Sequence, residues 1–480
     1  MGTSTDSRPV VVGSGLAGLT VARALAPERC ILVTPDDLTA GAASMWAQGG
    51  IAAAIGEDDS PELHAVDTRR AGADLGDAGT IARITAAAPD VVRRLRALGV
   101  PFDLAADQAL DLALEGGHSR RRIAHAGDRS GAAITRTVAG HVATLDSVEI
   151  RTGLHARGLV TDGAGKIAGL ALGAASGAAV TIDTDRIVLA TGGLGGLFAH
   201  TTNPRTALGQ GIAMASRVGA RTDDLHFVQF HPTALDVGLD PMPLLTEALR
   251  GAGAVLLADG ARFVDELQPR DVVAAAVWAQ AQSGRRVVLD ARDVPDVLTR
   301  FPAVADLVSA AGLDLASDLL PVAPAVHYAM GGVTVDARSR TSVPGLWAVG
   351  EVARTGLHGG NRLASNSLLE AVVSGEAAAA DLTGDTWRAG GDMTAADRES
   401  LRAAGEAPAP ALDEVRQVLE SSCGVLRTAH DLRAAVDRLD AWTQDDAAYV
   451  GWLIARSALA DPRSVGAHRR VDTTAAGSAA

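Results

Sequence analysis

Lysine is almost missing from this chain: Lys166 is the only one, and every other basic residue bar histidine is arginine. A lysine Schiff base anywhere but at that position is therefore excluded. Aromatic residues make up only 3% of the 480 residues, so the core must be assembled from Ala, Val and Leu. The cysteines are two, Cys30 and Cys423, far apart in sequence. Such a pair gives neither a disulfide framework nor a metal site, and a reducing cytosol fits it. Cys30 lies in an apolar, strand-like run and reads as a small core residue. No apolar run is long enough to span a bilayer, and no signal peptide is read before the first strand, so neither membrane nor export is expected. The net charge of −14 argues against non-specific nucleic-acid binding.

What is present is glycine in telling places. Val10, Val11 and Val12 form a strand-like run that stops at Gly13-Ser14-Gly15-Leu16-Ala17-Gly18, and a helical pattern starts at once (Leu19, Ala22, Leu25). Gly-x-Gly-x-x-Gly between strand and helix permits a tight turn and close approach of backbone to a pyrophosphate. The new helix then points its first amides at the phosphates. Residues 30–33 read as the second strand, and Asp36 is a candidate for the acid that holds an adenosine ribose, in a register the sequence leaves open.

Further along, helical segments are expected over 61–73 and 77–98. The Arg120-Arg121-Arg122 triplet reads as a solvated face, although Glu115 and His118 beside two glycines could line a site. Residues 148–190 read as a β-meander with turns at Asp162-Gly163 and at 173–177. The stretch 227–234 alternates and is expected to break at Pro232, opening an inserted domain. Arg270 stands in the first turn of a helix after Pro269. A helix beginning near Ser367 carries a capping signature with Glu370. Residues 384–411 read as a linker, helical spacing follows from 412, and the last dozen residues read as a frayed tail. The fold class is α/β: a split Rossmann-like dinucleotide domain (1–224 and 329–385), an inserted α+β capping domain (225–328) and a C-terminal helical domain (395–480).

These pieces, in this order, resemble the succinate dehydrogenase/fumarate reductase flavoprotein family over about residues 10–470. The motifs are residues 13–18, Ala47-Gln48-Gly49-Gly50-Ile51, Glu115-Gly116-Gly117-His118-Ser119 and Ala190-Thr191-Gly192-Gly193, followed by Gln229-Phe230-His231-Pro232-Thr233 and Thr246-Glu247-Ala248-Leu249-Arg250-Gly251. Pro269-Arg270-Asp271, Gly350-Glu351, His358-Gly359-Gly360-Asn361-Arg362 and residues 365–370 complete them. The resemblance implies FAD in the split domain, with a dicarboxylate held between cap and flavin. It places Gly13, Ser14, Gly15, Leu16, Ala17, Ala43, Ser44, Gln48, Gly49, Gly50, Gln210, Glu351, Ser367 and Leu368 at the cofactor, and no metal.

Arg362 and His327 would grip one carboxylate of the substrate, and His231 and Thr246 the other. A histidine standing alone is more often a satisfied structural group, but these sit inside motifs. By the same resemblance, hydride passes from the substrate α-carbon to the flavin and Arg270 exchanges a proton with the β-carbon. Two positions point to the branch that oxidises L-aspartate to iminoaspartate, the entry to NAD synthesis through quinolinate. Ala43 replaces a histidine that bonds FAD covalently, so the FAD is expected to be non-covalent. Glu115 replaces an apolar residue and could pair with a substrate ammonium. Oxygen or fumarate would take the electrons, and quinolinate synthase is a candidate partner. A soluble fumarate reductase or succinate dehydrogenase subunit is the rival reading, and a non-catalytic flavin-binding subunit a third. Gln210, His226 and Val465 depart from the family's usual Asp, Glu and Arg.

Overall fold

The computed structural model describes residues 8–174, 177–384 and 410–472. Most of the expected linker, two residues of the 173–177 turn and the end of the tail lie outside the described residues. The central element is a parallel five-stranded sheet in the order Leu346–Ala348, Ile187–Leu189, Val10–Val12, Cys30–Val33, Val148–Arg151. Its middle strands are apolar and fully buried, as a sheet covered by helices on both faces requires. Helix Leu16–Leu25 leaves the first strand through the glycine turn and packs on helix Asn366–Leu382. At Gly13 φ is +112°, and a Cβ would lie 2.3 Å from the Ala190 carbonyl oxygen, so only glycine fits.

The 148–190 stretch is not one meander. Only Leu154–Thr161, Ile167–Ala174 and Ala179–Asp183 form the antiparallel three-stranded sheet. The segments on either side join the parallel sheet, and Ile187–Leu189, an unbroken buried apolar run, has the pattern of a covered parallel strand. The expected helices form at Pro61–Ala71 and Ala78–Ala97.

The inserted segment builds an antiparallel sheet in the order Val228–Leu235, Leu320–Ala329, Val287–Asp290, Val255–Ala258, Ala261–Arg262. Here the expectation at Pro232 fails. The strand runs on to Leu235, because a register shift between His231 and Ala234 takes up the residue that cannot donate to the ladder. Helix Arg270–Gln282 covers this sheet.

Three C-terminal helices, Leu412–Ser422, Ala429–Asp440 and Asp446–Ala460, pack together. Arg416 donates to the Gly196 carbonyl (2.8 Å) and Arg427 to the His226 carbonyl (2.7 Å), tying them to the rest. The tail is not frayed where it is described: Arg470 pairs with Asp472 (2.9 Å) and bridges to Arg427. Among the described residues no helix is long and apolar enough to cross a membrane.

Candidate active site

One cavity of about 700 Å³ opens where the parallel strands end. That is where open α/β sheets bind ligands. Every residue named above for cofactor or substrate lines it: 13–17, Ala43, Ser44, 48–50, Gln210, Glu351, Ser367 and Leu368, with Glu115, His231, Thr246, Arg270, His327 and Arg362. Asp36 lines it too.

The cofactor end is mostly backbone. Gly192 has φ +75°, and no described atom lies within 4 Å of where a Cβ would stand. Leu16 N–H is held by Ser44 Oγ (3.2 Å), and Ser14 shares a hydrogen bond with Thr34 (2.8 Å). Two buried polar atoms on this wall, Thr191 Oγ1 and Gln48 Oε1, have no partner among the described residues. Unpaired buried polar atoms are costly unless a ligand meets them, so glycine-lined room and these two atoms together fit a large polar cofactor. Burial pushes the Glu351 carboxyl up to about 7, even though Ala329 N–H donates to it (3.0 Å).

Gln210 opens helix Gln210–Arg217, and its amide serves its own loop, accepting from Leu208 N–H (3.3 Å) and donating to the Thr206 carbonyl (3.1 Å). The capping signature at Ser367 is not used. Helix Asn366–Leu382 is entered through Ser365 at φ +60°. Ser367 Oγ instead accepts from Arg362 (2.8 Å), and Glu370 is taken by Tyr328 and His358 (2.8 Å each). Tertiary partners outcompete the local cap.

The substrate end is built from buried charge. Arg270 Nε donates to Glu247 (2.6 Å), and Arg250 stands 3.4 Å from the other Glu247 oxygen. Burial raises the Glu247 carboxyl, but the Arg270 and Arg250 charges outweigh it and hold it below its usual range. Arg362 has no carboxylate partner among the described residues. It donates to Ser367 and to Gln229 Oε1 (3.4 Å), lies 4.9 Å over the Tyr328 ring, and leaves its Nε unpartnered there. Burial, then the Arg270 charge, lowers it to about 10. A planar donor short of an anion is able to take a carboxylate in two-point contact.

Glu115 reaches the same space. Ser365 Oγ donates to it (2.6 Å), and a Cβ on Gly49 would lie 2.6 Å from its other oxygen. Burial and the nearby Glu247 charge raise the Glu115 carboxyl, so the pocket by itself disfavours its ionised form. His231 and His327 are driven far below the usual histidine range by burial and by Arg270, and both are neutral. Thr233 N–H donates to His231 Nδ1 (3.3 Å), which leaves the proton on Nε2, a buried donor without a partner among the described residues. His327 Nδ1 is held by Thr202 Oγ1 (2.8 Å). Thr246 caps the short helix Glu247–Gly251.

Sequence reasoning misses several residues that the structure brings to the site. Glu247 follows Thr246 into the first turn of that helix. Gln229 stands two residues before His231 on one strand, hence on the same face, and that spacing is the available signal. Ser365 opens the 365–370 motif, which gives it no role of its own, and Tyr328 is marked only by its place beside His327. His118 is spent on the Ala364 carbonyl (3.0 Å) and on Arg122. Arg122 corrects the solvated-face reading. Arg121 is exposed and Arg120 half-buried, but Arg122 is fully buried between Asp59 (2.9 Å) and Asp67 (2.7 Å), which hold the loop that carries Glu115. His226 bonds Ser457 (2.7 Å), and Val465 packs with Phe227, Tyr328 and Met330.

The model of the FAD binding domain family matches residues 8–368. The L-aspartate oxidase of Caulobacter vibrioides is 43% identical over 98% of this chain and 94% of its own. That of Mesorhizobium japonicum is 45% identical over 97% and 91%. Among solved structures, a point mutant of the E. coli quinol fumarate reductase FrdA superposes with TM-score 0.88 at 27% identity, over 98% of this chain and 92% of that one. Mycobacterium smegmatis Sdh1 in complex with UQ1 gives 0.82 at 29% identity, over 97% and 88%. The chain belongs to the FAD binding domain family and, within it, to the L-aspartate oxidase family. Its cofactor is FAD.

Proposed function

We propose that the protein oxidises L-aspartate to iminoaspartate and passes the electrons to oxygen or fumarate, as the first step of NAD synthesis through quinolinate. The carrying observation is Glu115, a buried carboxylate that lines the cavity with Arg270 and Arg362 and supports the reading because a substrate with two carboxylates and an ammonium needs a partner of each sign. Bound FAD supplies the two-electron oxidant. Ala43 on the cavity wall has nothing to bond it, so it is held non-covalently.

Arg362 and His327 take one carboxylate of the substrate. His231, through its Nε2–H, and Thr246 take the other. Glu115, ionised by the incoming ammonium, fixes the amino group and so tells aspartate from succinate. Arg270 faces the β-carbon and exchanges a proton there, with Glu247 and then Arg250 behind it as onward carriers. The dinucleotide domain takes in 1–224 and 329–385, the cap 225–328 and the helical domain 395–480. The cytoplasm is the proposed location, and quinolinate synthase the proposed consumer of the product.

A fumarate reductase reading is favoured by one observation, the three guanidiniums of Arg250, Arg270 and Arg362 at the substrate end. Anaerobic titration of the holoprotein separates the two. L-aspartate should bleach the flavin absorbance and succinate should only perturb it. Bleaching by succinate and none by aspartate would establish the rival.

A further inference from the structure

Asp271, Asn361 and Gln229 join the C-terminal segment to both arginines of the substrate end. Arg469 donates to Asp271 Oδ2 (2.8 Å), and Asn361 Nδ2 donates to Asp271 Oδ1 (2.8 Å). Asn361 Oδ1 accepts from Gln229 Nε2 (2.7 Å), which also donates to the Arg362 carbonyl (2.7 Å). Gln229 Oε1 then accepts from Arg270 (3.0 Å) and from Arg362 (3.4 Å).

The order of donors in this chain is not free. An amide can be turned end for end with almost no change of shape, so its partners decide which end faces where. Arg469 can only donate, and a carboxylate can only accept. Asp271 therefore draws the NH2 of Asn361, which turns the Asn361 oxygen to Gln229. That oxygen and the Arg362 carbonyl together draw the Gln229 NH2, which leaves its oxygen facing two guanidiniums. Gln229 and Asn361 are buried, so water is not at hand to repair a wrong end.

We infer that Asp271, anchored by Arg469, sets the polarity of the Asn361–Gln229 amide pair and so holds Arg270 and Arg362 aimed at the substrate. Asp271 is the positioning residue, and Arg469 matters only when the carboxylate is replaced by a group with two different ends. The inference rests on the reading of Arg362 as a carboxylate grip and of Arg270 as the group that exchanges the proton.

Replacing the carboxylate inverts the logic. In Asp271→Asn the new amide turns its oxygen to Arg469 and its NH2 to Asn361. Either Asn361 and Gln229 flip, which points N–H groups at two cations and an oxygen at the Arg362 carbonyl, or the contact with Asn361 is lost; in both cases Gln229 loses support. Succinate affinity, read from the flavin spectrum, and KM for fumarate should worsen about 10- to 100-fold, as for loss of a hydrogen bond to a charged group, with FAD content unchanged. The swap Asp271→Asn with Asn361→Asp restores the original polarity and the original charge, and should return both to within about threefold of wild type. Arg469→Leu alone should do little. Added to Asp271→Asn it should recover much of the loss, because the new amide is then free to offer its oxygen to Asn361.

An Asp271→Asn enzyme that binds succinate as wild type does would overturn the inference. A swap that loads FAD yet binds succinate tenfold or more weaker would also overturn it, whether or not the single variant folds, as would a swap that fails to load FAD. If wild type itself neither binds succinate nor reduces fumarate, the reading of the site fails instead, and the two failures are thereby told apart.

Discussion

The two ends of the cavity are built in different ways. The cofactor end is made by backbone at the ends of parallel strands, with glycines where a side chain would collide, as one at Gly13 would with Ala190. Each piece is local: a strand, a tight turn, a helix start. The substrate end is made by side chains from distant places in the chain, around Glu115, Gln229, Glu247, Arg270, His327 and Arg362. A local pattern specifies the first end, whereas the second depends on which charge pairs with which. Arg270 and Arg362 illustrate this: Arg270 is tethered to Glu247, and Arg362 meets no carboxylate among the described residues.

That division can be broken most sharply at Arg270. Arg270→Leu should lower fumarate reduction by roughly a thousandfold or more, the scale of a lost general acid. FAD should remain bound and succinate should still perturb its spectrum, since Arg362 and His327 keep one carboxylate grip. Near-normal fumarate reduction would assign the proton step elsewhere.

Next in size is an opposition in pH dependence. Glu115 is raised by burial and by Glu247, so in the free enzyme it stays neutral to higher pH than an ordinary carboxyl. Below that raised pKa a dianion is welcome and an ammonium is not; above it the preference reverses. In kcat/KM profiles, which report the free enzyme, aspartate oxidation should fall as pH drops through it. Succinate affinity should fall as pH rises through it, by up to about tenfold per unit in each case. Parallel limbs for the two ligands would place the titration on another group.

A smaller test couples the two ends. Gly49 belongs to the cofactor end, yet its Cβ would stand 2.6 Å from a Glu115 oxygen. Gly49→Ala should cost about tenfold in kcat/KM for aspartate, much less for fumarate, by pushing Glu115 aside. Steady-state kinetics of both reactions checks it, and an equal loss would mean the loop as a whole has moved. The mildest expectation concerns Ala43: acid precipitation should leave all the yellow colour in the supernatant, as for FAD held without a covalent bond.

The same contrast explains what the sequence can disclose. The strand–glycine–helix unit at 10–25 is readable because its causes are adjacent in the chain. Expectations fail where tertiary partners decide. The Ser367–Glu370 cap is displaced by Arg362 on one side and by Tyr328 and His358 on the other. Pro232 is carried through a strand by a bulge. Arg122 has the look of surface charge in sequence, and two aspartates from an earlier segment enclose it in the fold. The candidate site residues are legible because motifs carry them, but the pairing of Arg270 with Glu247, and of Glu115 with Ser365, is not in the sequence.

The claim that Glu115 makes this an amino-acid site is tested most directly by Glu115→Gln, which keeps the shape and removes the charge. Leaving the ammonium unpaired in a closed pocket should cost roughly 2–4 kcal/mol of transition-state stabilisation, by analogy with a broken buried ion pair. That is about thirty- to several-hundred-fold in kcat/KM for L-aspartate. Fumarate carries no ammonium, so its reduction should change by less than about threefold, and succinate should bind as well or better. Steady-state kinetics of the two reactions on wild type and variant gives the answer. A large loss for aspartate alone is the predicted result; an equal loss in both reactions would make Glu115 structural and contradict the account.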